Sequence, residues 1–342
     1  MTLASAAVDP TLPTARGPLS MAVINLLTER APRTRFDRIE APVADCDPYG
    51  IDVQVALYVC YELHYRGFAG VDPGWEWNPG LLHLRARLED AFRTAIRRDT
   101  AGANAPGAGA AGELDRLTAE PAADADPSGY LVSRGTWQQL REYFVHRSLH
   151  HLTGGDPHTW ALPGLTRQSG TSFAAVESGG LGAGRRAEGR QQLFAGLMVA
   201  ADLDPGYLSY IDVVPAEALA VVNLMSLFGL HRRHRGATVG HSAAMAVTAP
   251  RAANRISAAL ARVNAPEPCQ EFYRGHTATD PVREESARSE VGDLIGRDPA
   301  LENDVIFGIR AFGVVEDRLA AHLMRCWHNG ETSLRRPLCG GG

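Results

Sequence analysis

The stretch NPGLLHLRARLEDAF, residues 78–92, decides between helix and strand for this chain. Its apolar residues Leu81, Leu82, Leu84, Leu88, Ala91 and Phe92 recur at three- and four-residue intervals, which places them on one face of an α-helix. Asn78 is suited to accept from the first free amides, and Pro79 fits a first turn whose amide has no partner to lose. The same period returns at about 135–152, 184–202, 215–234, 236–247, 250–263, 267–288 and 299–328. Pro215 and Pro299 suit first-turn positions there, and Asp298 can cap the last helix. Sustained two-residue alternation is absent throughout. The expectation is an all-α protein: a helical bundle of about seven helices with an N-terminal helical segment.

Working outward, residues 1–32 carry Pro, Thr, Ser and Ala without sustained period and read as a mobile tail. Residues 33–99 form the N-terminal helical segment. In it the turn Asp47-Pro48-Tyr49-Gly50 opens an apolar-periodic run from Ile51 to Phe68, closed by Gly67 and Gly70. Residues 100–129, TAGANAPGAGAAGELDRLTAEPAADADPSG, are low in complexity and read as a flexible linker. The bundle then occupies 130–337, with 338–342 as a short tail.

At 342 residues, 45% hydrophobic and 21% charged, the chain has ample material for a core. A formal charge of −5 excludes a generally basic nucleic-acid binder. All 34 basic residues are arginine, as expected from a coding bias. The five cysteines, Cys46, Cys60, Cys269, Cys326 and Cys339, form no C-x-x-C pair, so neither a zinc knuckle nor a disulfide framework is expected. Met21–Leu27 is too short and too polar for a leader or a membrane span. The chain reads as cytoplasmic, with reduced thiols and no membrane partner.

Few residues suggest chemistry on their own. His276 and Asp280 stand four apart in EFYRGHTATDPVREE, on one face of a helix, as metal ligation from a helix requires. A hydrogen-bonded structural pair is the commoner outcome of that spacing. Pro281 follows and predicts a kink or break at Asp280. His146, His150 and His151 read as a helix flank of partly exposed histidines, with a metal site as the rarer outcome. Glu62 and Arg66 read as a structural ion pair. The cluster His231-Arg232-Arg233-His234-Arg235 reads as cations at a helix end, or as a docking patch for an acidic partner. Gly179-Gly180-Leu181-Gly182-Ala183-Gly184 follows no strand and reads as an inter-helix loop. No phosphate loop, dinucleotide fingerprint or nucleophile elbow is present.

Several longer stretches resemble one family. They are DPYGIDVQVALYVCYELHYRGFAGVDPGWEWNP (47–79), REYFVHRSLHHL (141–152) with GDPHTWALPGL (155–165), VNLMSLFGLHRRHRGATVGH (222–241) and SLRRP (333–337). They resemble the actinobacterial iron-containing redox enzymes among the heme-oxygenase-like diiron oxidases, over about residues 33–337. The resemblance implies a seven-helix heme-oxygenase-like bundle holding two irons through four carboxylates and three histidines. Carried over by spacing, the expected glutamates fall on Gly154, Gly180 and Ala246, and an expected histidine falls on Arg190. The closing His-x3-Asp-x2-His motif keeps His276 and Asp280 and has Arg283 at its end. Glu177 is the displaced carboxylate closest to Gly180.

Charge arithmetic favours a redesigned interior over a damaged one. Four carboxylates without their metals could not all ionise in a core. Here three of them are lost together with two histidines, and an arginine can fill the space and pair with Asp280. Asp280 with Arg190 and Arg283 nets +1. Two expectations follow. The first is a metal-free pseudoenzyme, acting as a scaffold, a regulatory partner or a binder of an anionic small molecule, with no cofactor. The second is an O2-dependent oxidoreductase of specialised metabolism, performing N-oxygenation or oxidative cleavage of an amino-acid-like substrate. It would use iron on a rearranged set (His146, His150, Glu177, His276, Asp280), or no metal, with His276 as base oriented by Asp280. A homodimer is expected, with the 47–99 helices packing on the bundle or forming the dimer interface.

Overall fold

The computed structural model describes residues 9–31, 43–101, 109–119, 126–153, 157–164 and 183–338. Among them there are eleven α-helices and no β-strand, as the helical periodicity predicts. None of the described helices is long and apolar enough to cross a membrane. The chain divides into two compact units, residues 1–95 and 96–342, with the boundary inside the third helix.

In the first unit, α1 (Pro18–Leu27) packs against α2 (Ile51–Glu62). The expected mobile tail is corrected here, because α1 lies within it. Leu19, Val23 and Leu27 repeat at four-residue steps and are buried. The α1 N-terminus is capped from α2: Asp52 accepts from the Leu19 and Ser20 amides at 3.0 and 2.7 Å and from the Ser20 hydroxyl at 2.6 Å. A carboxylate there satisfies orphan donors and meets the positive end of the helix dipole. α3 (Pro79–Ala101) starts as the sequence predicts, with Asn78 Oδ1 accepting from Gly80 and Leu81 amides at 3.0 and 3.1 Å. Its stripe of Leu81, Leu84, Leu88 and Phe92 is buried. α2 ends at Glu62 rather than Phe68.

In the second unit, α4 (Gly109–Thr118) lies inside the segment expected to be a linker. Its Ala110 and Leu114 join an apolar cluster with Val239, Val247, Ala287, Val291, Val305 and Ile309. Tertiary burial here overrides a glycine- and alanine-rich composition that carries little local signal. Then follow α5 (Pro127–Ser133), α6 (Trp137–His151), a 3-10 segment (Pro157–Gly164), α7 (Ala183–Ala200), α8 (Ala216–Gly229), α9 (Arg235–Arg262), α10 (Glu267–Arg297) and α11 (Glu302–His328). α9 is central and packs on α4, α5, α8, α10 and α11. Two helices were expected at 236–247 and 250–263, and the structure has one, continuous through Pro250. α10 likewise runs unbroken past Pro281. A proline removes one hydrogen bond, which helices of 28 and 31 residues absorb without ending. Asp298 does not cap the last helix. It precedes a 3-10 turn without a side-chain cap, and its carboxylate meets Arg235 at 3.3 Å.

α9 and α11 touch backbone to backbone. A Cβ on Gly240 would fall 2.1 Å from the Val305 carbonyl oxygen, and one on Gly308 would fall 2.1 Å from that of Ala237. Asp304 of α11 also accepts from the Ala237 amide at 3.0 Å, near the start of α9. Burial raises the Asp304 carboxyl above its ordinary value despite that bond and the nearby arginines. Gly240→Ala or Gly308→Ala forces the two helices apart. Each should cost about 2–3 kcal/mol, the range for overpacking a tight core. Denaturant unfolding of the two variants measures it, and wild-type stability in both would disprove the close crossing.

Candidate functional site

One group of buried chemistry-bearing side chains in the second unit is gathered on α6. Its start is fixed by a reciprocal cap: Thr136 Oγ1 accepts from the Gln139 amide at 3.2 Å, and Gln139 Oε1 accepts from the Thr136 amide at 2.9 Å. The helix is then buried from Leu140 to His146 and again at Ser148 and Leu149. It packs on α7 and α8. A helix buried on all sides must find partners inside the protein for every polar group it carries.

Glu142 and His146, one turn apart, face the C-terminal segment. Glu142 Oε2 accepts from the Trp327 indole at 3.1 Å, the Ser333 amide at 2.9 Å and the Ser333 hydroxyl at 2.7 Å. Its Oε1 accepts from Thr332 Oγ1 at 2.7 Å. His146 Nε2 lies 2.9 Å from Ser333 Oγ. Ser333 has a single hydroxyl proton, and a carboxylate can only accept it. His146 therefore carries its proton on Nε2 and donates to Ser333. Burial, then His322 and Arg147, push the His146 imidazole down to about 3, so it is neutral. His146 is thus fully buried, which corrects the expected partly exposed flank; His150 and His151 are half-buried.

The other face of α6 carries Tyr143, Arg147 and His150. Arg147 forms a two-pronged pair with Glu316 of α11, Nη1 to Oε1 at 2.7 Å and Nη2 to Oε2 at 2.8 Å, and lies over the Tyr143 ring. Burial works against both charges. Glu316 and Tyr143 keep the guanidinium ionised, and Arg147 pulls the Glu316 carboxyl below its ordinary value. Tyr273 of α10 closes this side against Phe144, its hydroxyl pushed well up by burial. His151 packs among Phe194 and Phe272. Tyr143 and Tyr273 are buried beside the Arg147–Glu316 pair, so this face of α6 is a packed polar cluster. Sequence reading missed Arg147, Glu316 and Glu142, because their partners lie 169 to 191 residues away.

The sequence-derived positions fall as follows. Ala246 on α9 is buried in the apolar cluster with Val239, Ala243, Ala287, Val291 and Phe312. Arg190 on α7 and Arg283 on α10 are half-buried. His276 and Asp280 lie on α10, one turn apart and just beyond Tyr273, and their side chains are outside the described residues. Gly154, Glu177 and Gly180 are also outside them, as is the glycine-rich loop up to Gly182. α10 packs on both α7 and α9, so the helices bearing five of these positions are neighbours. Among the described residues no group of three or more His, Cys, Asp or Glu side chains could hold a metal ion. In the basic cluster, Arg232 and Arg233 are exposed, while His234 is buried and Arg235 pairs with Asp298.

Two further buried histidines meet where the DPHTW and VGH stretches come together. His158 Nε2 lies 2.9 Å from His241 Nδ1, between Phe228 and Phe312. In the first unit, His64 sits between Arg85 and Glu76, and Arg85 pairs with Glu89 at 3.2 Å. Burial and Arg85 lower the His64 imidazole against the pull of Glu76.

Arg147→Met should cost about 2–3 kcal/mol, because it leaves Glu316 without its cation; the figure allows for the partial exposure of both side chains. The double variant Arg147→Met, Glu316→Leu should recover most of that loss. Urea unfolding of both decides, and a double variant less stable than the single one would contradict the pairing.

Residues 141–315, half of the chain, match the family model described as iron-containing redox enzyme. No curated protein matches the chain.

Proposed function

This chain belongs to the iron-containing redox enzyme family, and from that premise we propose that it is a metal-free member whose interior binds an anionic small molecule. The observation that carries this reading is Ala246. At a position where the resemblance, carried over by spacing, expects a carboxylate, a methyl group sits 4% exposed among Ala243, Val247, Ala287 and Val291. That surrounding offers an iron no donor, and a divalent ion there would be desolvated without compensation. The surroundings of Ala246 do not fit a metal ligand at that position, which supports the metal-free reading.

The rearranged iron set is also weakened. His146 has its Nε2 engaged by Ser333 and is sealed beneath the C-terminal segment, so it is removed from the five residues that set requires. His150, Glu177, His276 and Asp280 are left of that set, too few to hold the two irons of the family at about four to six ligands each. Arg190 and Arg283, standing by spacing where two histidines are expected, are half-buried guanidinium groups, and a carboxylate or similar anion is the ligand class that such groups recognise. Retained catalysis with His276 as base is the competing reading. It predicts that Asp280→Ala abolishes a turnover while the protein melts like wild type.

The deciding measurement is metal content. Protein loaded with ferrous iron under anaerobic conditions and then desalted should retain well under one iron per chain by elemental analysis. Two irons per chain would overturn the metal-free reading.

A further inference from the structure

The SLRRP ending stands out in the sequence, and nothing in the proposed function uses it. In the structure it forms part of a segment, residues 329–338, that folds back over α6 after α11 ends at His328. Gly330 takes a left-handed φ of 71° to make the reversal. Ser333 and Leu334 are buried, whereas Arg335, Arg336 and Pro337 are exposed. The segment is held at four places. Glu142 takes Thr332 and Ser333, His146 meets Ser333 Oγ, His322 Nε2 meets the Ser333 carbonyl at 2.8 Å, and the Arg335 amide donates to the Val213 carbonyl at 2.8 Å.

Three of these four places meet at Ser333, and their proton inventory is closed. The hydroxyl gives its proton to Glu142 and takes one from His146 Nε2. A second proton on His146 would have to go to Nδ1, which is buried and has no hydrogen-bond partner in the structure. The resulting cation would stand among Arg147 on α6 and His322 on α11. The outer ring of charge is mixed: Arg325 donates to His322 Nδ1, Glu217 of α8 lies 3.7 Å from the same nitrogen, and Cys326 and Glu331 lie beside them. Glu142, the nearest anion, has Trp327, Thr332 and both Ser333 donors on its two oxygens.

We propose that residues 329–338 are a strap that stays docked on α6 only while His146 is neutral, so that acid releases the C-terminus and bares Glu142, Trp327 and Cys326. The sign follows from linkage. A histidine whose imidazole is depressed when docked stabilises docking fully above its free value, near 6.5, and loses that contribution as the pH falls toward about 3. Release is local, because the α9–α11 crossing and the apolar cluster around Ala246 contain none of the strap's contacts.

Amide hydrogen exchange on the full chain tests this, with rates corrected for the intrinsic pH dependence. The opening constant read at Ser333 and Arg335 should rise about tenfold between neutral pH and pH 5.5, following one proton taken up below 6.5. Amides of α9 and α11 should hold their protection over the same range. His146→Gln keeps an N–H for Ser333 but cannot take up a proton, and it should flatten the pH response. The proposal is overturned if strap protection in the wild type does not change with pH, if it is lost together with the core, or if the His146→Gln strap opens with acid as the wild type does. The wild-type comparison of strap and core decides by itself if that variant does not fold.

Discussion

Helix α6 is buried along nearly its whole length and yet carries Glu142, His146 and Arg147, and the second unit is arranged around giving each of them a partner. An uncompensated ion in such a place costs several kcal/mol, a large part of the stability of an ordinary domain. The partners come from far along the chain. Glu316 of α11 answers Arg147, and Trp327, Thr332 and Ser333 answer Glu142. α11 must therefore run alongside α6, and the chain must turn back after His328. Close contact of α11 with α9 at Gly240 and Gly308 fixes it from the other side. Charge pairing and backbone contact thus act on the same helix.

What could be read from the sequence divides along the same physical line. The helices with a strong apolar period, such as α3 with its Leu81, Leu84, Leu88 and Phe92, are legible because the period is local. α1 and α4 are not, since Pro18–Leu27 and Gly109–Thr118 become helices through contacts made elsewhere: Asp52 for α1, and the Val239–Val305 cluster for α4. Pro250 and Pro281 mislead in the opposite direction. A proline removes one hydrogen bond, and helices as long as α9 and α10 retain enough packing to absorb that loss. The resemblance marked the stretches that matter, REYFVHRSLHHL and SLRRP, without indicating that they touch. Ser333 against Glu142 is a pairing across 191 residues, and no local rule reports it.

The proposed loss of iron ligands and the environment of Ala246 bear on each other. An iron site keeps carboxylates ionised inside a bundle because the metal supplies the compensating charge. If metal were lost first, the remaining carboxylates would repel one another, and their replacement by Gly, Ala and Arg would follow as relief of that repulsion. Ala246 among aliphatic neighbours fits the end of such a process, in which the vacated space is filled by apolar side chains. Arg147 with Glu316 is one way this unit holds interior charge, as a neutral bidentate pair, and Glu142 with its hydrogen-bond donors is another.

The two faces of α6 therefore differ in the kind of change they can sense. Arg147 and Glu316 stabilise each other's charged forms, so moderate acid leaves that face as it is. His146 is held in its uncharged form by burial and by cationic neighbours, so acid acts there first. His146 and Arg147 are adjacent residues, so the acid-sensitive group and the acid-resistant pair sit side by side on one turn of α6 and face different partners, Ser333 and Glu316.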